Sequence, residues 1–154
     1  MKKFLLIGGI LGLMVLIVLG VTMCGVMKVA NDWVKEKEPE LRQYVQMTEV
    51  EQNEYVEKHM DELFRRVDEY AKGHSENAPK DQREKWAEFE KDPEAKAASI
   101  QLGRSIVAAL IMASDSITAE LSADDKAKYE NEANDTEQRT DAYTKFMKKY
   151  KLTE

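Results

Sequence analysis

An all-α fold is what this sequence predicts: an N-terminal single transmembrane helix followed by a small helical bundle of about three long helices and one or two short ones. Three observations carry that expectation. Residues 4–27 contain no charged side chain. Two capping boxes each stand ahead of an apolar seam that steps by four and three residues, the period of a helix face. No stretch alternates polar and apolar residues with β-branched enrichment, so a sheet is not expected.

The uncharged run is 24 residues long, Phe4–Met27. At about 1.5 Å per residue it reaches roughly 36 Å, enough for a hydrocarbon layer of about 30 Å with some tilt. It is longer than the apolar region of a cleavable signal, and no Ala-x-Ala site follows it closely. A retained anchor is therefore the expectation. Lipidation at Cys24 is disfavoured, because Met23 before it is not small, and simple cleavage comes third. Lys2 and Lys3 precede the run, whereas Lys28, Lys35 and Lys37 follow it among acids. The positive-inside rule then places the N-terminus in the cytoplasm. The remainder would lie in the periplasm or outside a bacterial inner or cell membrane. Gly8 and Gly12, four apart, form a candidate helix–helix contact face and motivate a homo-oligomer.

The organisation expected is an anchor or uncleaved signal at 1–27, a juxtamembrane segment with a short helix at 28–48, a helical bundle at 49–150 and a tail at 151–154. Pro39 is read as opening the short helix, to Met47. Thr48-x-x-Glu51 caps the first long helix, 49–72, whose seam is Val56, Met60, Leu63, Val67 and Tyr70. Gly73 stands where a left-handed C-cap would fall. A short helix at 79–91 carries Trp86 and Phe89 on one side. They read as a lid over the core first and as an aromatic platform second.

Asp92-Pro93 opens the second long helix, to Glu120, the most hydrophobic stretch outside 4–27. A helix apolar over that much of its circumference belongs at the centre of a bundle. Gly103 within it predicts close approach of a neighbour. Arg104 interrupts its apolar character. It reads as a rim arginine with a covered stem, the functional alternative being an anion site; if enclosed, it needs a carboxylate from another helix. Ser122-x-x-Asp125 caps the third long helix, with the seam Tyr129, Ala133, Thr136, Thr140, Tyr143, Met147 and Tyr150. One continuous helix is expected there, with Asn134-Asp135 as the place where a break would fall.

Chemistry is scarce. The histidines are His59 and His74, and neither has a glutamate three residues before it, as a di-iron bundle requires. No phosphate loop, calcium loop or Cys/His nucleophilic pair can be placed. No enzyme activity, cofactor or metal is expected. Residues 28–154 hold 21 basic and 29 acidic side chains, a balance that argues against a phosphate-backbone binder, so no nucleic acid is expected. Lys145, Lys148, Lys149 and Lys151 gather near the C-terminus, where cations favour the end of a helix; binding of an anionic lipid or an acidic partner is the functional alternative. The resulting expectation is a membrane-anchored interaction module: an accessory subunit, assembly factor or scaffold of an envelope complex. It would be held to lipid through residues 4–27 and carry a protein partner. The alternative is an envelope chaperone or stress sensor.

Overall fold

A computed structural model describes residues 24–64 and 73–153, and side chains from residue 32 onward within them. Eight helices are described: α1 Cys24–Gln46, α2 Glu49–Lys58, α3 Met60–Leu63, α4 Lys80–Lys91, α5 Pro93–Ala113, α6 Asp115–Glu120, α7 Ala123–Asn134 and α8 Thr136–Lys149. The α5 helix is the axis of the fold. It packs against each of the other seven.

The sequence of α5 explains its place. Asp92 caps it by accepting from the N–H groups of Glu94 and Ala95, and Pro93 fits the first turn, where no donor is needed. From Leu102 to Ile111 every residue is buried, so the helix has no solvent face there. Only a helix surrounded on all sides can bury such a run. Around it lie Leu41 and Tyr44 of α1, Val56 of α2, Trp86 and Phe89 of α4, Ile117 of α6, Tyr129 of α7, and Tyr143 and Met147 of α8.

The helix boundaries depart from expectation at four places, each with a local cause. Pro39 does not begin a helix; it lies inside α1. Its ring is exposed, and burial of Val34, Leu41 and Tyr44 holds the helix through it. The expected helix 49–72 divides at His59, whose ring stacks on Tyr55 with centroids 4.1 Å apart and whose Nδ1 lies 2.7 Å from the Tyr55 carbonyl. That side chain competes for the backbone group and tightens the turn. Residues 65–72 of that expectation lie outside the described ones. The expected helix 93–120 divides at Ser114, whose hydroxyl accepts from the Ile117 N–H and caps α6. The third helix breaks at Asp135, where the Thr136 hydroxyl donates to the Ala133 carbonyl.

Three other local features follow the chemistry of their residues. Thr48 and Glu51 form a reciprocal capping box on α2. Gly73 does not adopt the left-handed conformation; its need is space, because a Cβ there would collide with the Trp86 indole. The left-handed position falls instead on Lys151, with φ 54°. It lets the Leu152 N–H reach the Met147 carbonyl and returns Leu152 to the core at the end of α8.

This architecture corrects the fold expectation: the described chain is one helical bundle built around an internal core helix, not an anchor followed by a bundle. Among the described residues, the helix long and apolar enough to cross a membrane is α5, and 67% of its apolar window is buried inside the protein itself. The predicted span 4–27, with Gly8 and Gly12, lies outside the described residues except for 24–27, which begin α1; Cys24 is the first residue of that helix. The membrane-anchored interaction module, its chaperone alternative and the single-pass envelope placement are corrected with it. The expectation of a lipid-held chain carrying a protein partner or forming a homo-oligomer falls on the same ground. Among the described residues, the apolar side chains of α5 serve the molecule's own core, and Val50 is the exposed large hydrophobic residue.

Candidate functional site

Two groupings of chemistry-bearing side chains emerge from this packing. The first surrounds Arg104, which is only 3% exposed. It is an enclosed arginine and not the rim residue expected. Its Nη1 donates to Glu49 Oε1 and Asn53 Oδ1 of α2, both at 3.1 Å, and its Nη2 donates to Glu132 Oε1 of α7 at 2.6 Å. Arg104 Nε and Glu132 Oε2 are buried without partners of their own. They belong to the same guanidinium and carboxylate that Nη2 and Oε1 already join. Burial is the largest influence on Arg104 and opposes its charge, but Glu132, Tyr44 and Glu49 together outweigh it and raise the guanidinium pKa.

A second ring of bonds extends this hub. Ser105 donates to the Glu132 carbonyl at 2.7 Å and accepts from Arg139 Nη1 of α8 at 2.9 Å. The same Arg139 nitrogen donates to the Gln101 carbonyl at 3.0 Å. Gln52, fully buried, donates to the Tyr44 carbonyl and the Tyr129 hydroxyl and accepts from Lys128. Burial pushes the Tyr44 phenol pKa up. Four helices around α5 are thereby tied by polar bonds that an apolar core cannot direct.

The second grouping is an open pocket of ≈ 240 Å³ between α2, α3, α4, α5 and α8. Trp86, Phe89 and Tyr143 line it together with Met60. Phe89 meets Trp86 edge-to-face at 5.2 Å and Tyr143 at 5.7 Å. Glu57, Asp61 and Glu90 stand around the aromatics, with Lys96 and Ser99 completing the lining. Lys96 forms an ion pair with Glu57, and His74 Nε2 lies 2.6 Å from Glu90 Oε1.

The remaining expected site residues are dispersed. Trp86 and Phe89 are each 3% exposed and belong to the core as well as to the pocket. Lys145 and Lys148 are exposed on α8. Lys149 turns to Asp92, donating to Oδ2 at 2.8 Å, and Tyr150 donates to the same oxygen at 2.6 Å. These bonds, Lys149 first, hold the Asp92 carboxyl well below the usual carboxylate range. They fasten the last turn of α8 to the cap of α5.

Comparison of the chain with known protein families, with curated proteins and with solved structures gives no match. The site must therefore be judged on its own geometry. Sequence reasoning missed Glu132, Gln52, Ser105 and Arg139. A signal existed for the first two. Glu132 follows Tyr129 by three and Gln52 precedes Val56 by four, so both lie on core-facing seams. A polar residue on such a seam is a candidate partner for a buried charge. No comparable pattern marks Ser105 or Arg139.

Proposed function

We propose that this chain is a non-catalytic helical domain that acts by stoichiometric binding, with the pocket between α2, α3, α4, α5 and α8 as its binding surface. The observation that carries this reading is how the polar side chains are divided. The deeply buried ones around Arg104 join one helix to another, which is the work of holding a fold together. The pocket, by contrast, brings acidic and aromatic groups to a concavity open to solvent. Neither histidine is placed as a general base on a nucleophile. His59 bonds to a carbonyl of its own turn, and His74 meets a carboxylate.

The test is a turnover panel on the full chain, covering ester, phosphate, glycoside and amide substrates. Product formation no faster than in buffer is expected. Product that scales with protein concentration and is lost on replacing Glu90→Gln or Glu132→Gln would overturn the reading.

A further inference from the structure

We draw no further inference here: the strongest candidate, the open pocket between α2, α3, α4, α5 and α8, carries nothing beyond the binding reading already given, because Glu57 and Glu90 in its lining are paired with Lys96 and His74, Trp86 and Phe89 are buried in the core, and nothing in the structure shows what covers it.

Discussion

Replacing Arg104→Met is expected to lower the unfolding free energy by about 3–5 kcal/mol. Methionine can occupy the space of the aliphatic stem, so the loss is not chiefly a packing loss. What remains is the Glu132 carboxylate, whose side chain is 12% exposed and whose charge then has no guanidinium. Taking one partner from a buried ion pair leaves an uncompensated charge in a medium that solvates it poorly. Glu49 matters much less, because its side chain is 75% exposed and water replaces the arginine. Combining Arg104→Met with Glu132→Leu should recover most of the loss, since neither charge then has to be desolvated. Urea denaturation reads both variants, through a shift in midpoint at unchanged slope. A single-variant loss under about 1 kcal/mol would show that the guanidinium is solvated in the folded protein.

Gly103→Ala should destabilise by about 1–3 kcal/mol, although alanine is the better helix former by up to about 1 kcal/mol. Gly103 sits mid-helix in α5, where α2 crosses it. A Cβ at that position would collide with Val56 Cγ1, and Phe64 closes in behind at 3.6 Å. Val56 is fully buried and branched at Cβ, so it cannot swing aside without moving its neighbours. The partner substitution Val56→Ala removes the obstructing methyl group. In the Gly103→Ala background it should cost less than in the native one, so the two changes compensate in a double-mutant cycle. Stabilisation by Gly103→Ala alone would mean that α2 and α5 do not meet at this point.

Much of this fold is legible in the residues. The Thr48–Glu51 box, the Asp92–Pro93 start and the seam from Tyr129 to Met147 appear where local chemistry puts them, because caps and period-3.6 patterns act over single turns. The central position of α5 follows from apolar character spread around its whole circumference. The divisions at His59 and Ser114 are harder to see. Each depends on one side chain taking a backbone group from its own helix, and the periodicity runs on across the break.

The candidate site divides in the same way. Arg104 stands out as a charge in apolar company, and its need for a carboxylate is clear from desolvation alone. That Glu132 supplies it is a tertiary fact, set by how α7 lies along α5. The pocket joins residues from five helices, so no spacing within the chain announces it. The lysines near the C-terminus show the converse. They look like a surface cluster, yet Lys149 is committed to Asp92, 57 positions away in sequence.

The α5 helix is the interior axis of the described bundle. Native-state hydrogen exchange tests it most directly. The amides from Leu102 to Ile111 should exchange slowest in the molecule, with protection equal to the global unfolding free energy measured by denaturant. Exchange of those amides ahead of the amides of α7 and α8, through an opening that leaves the outer helices intact, would contradict it.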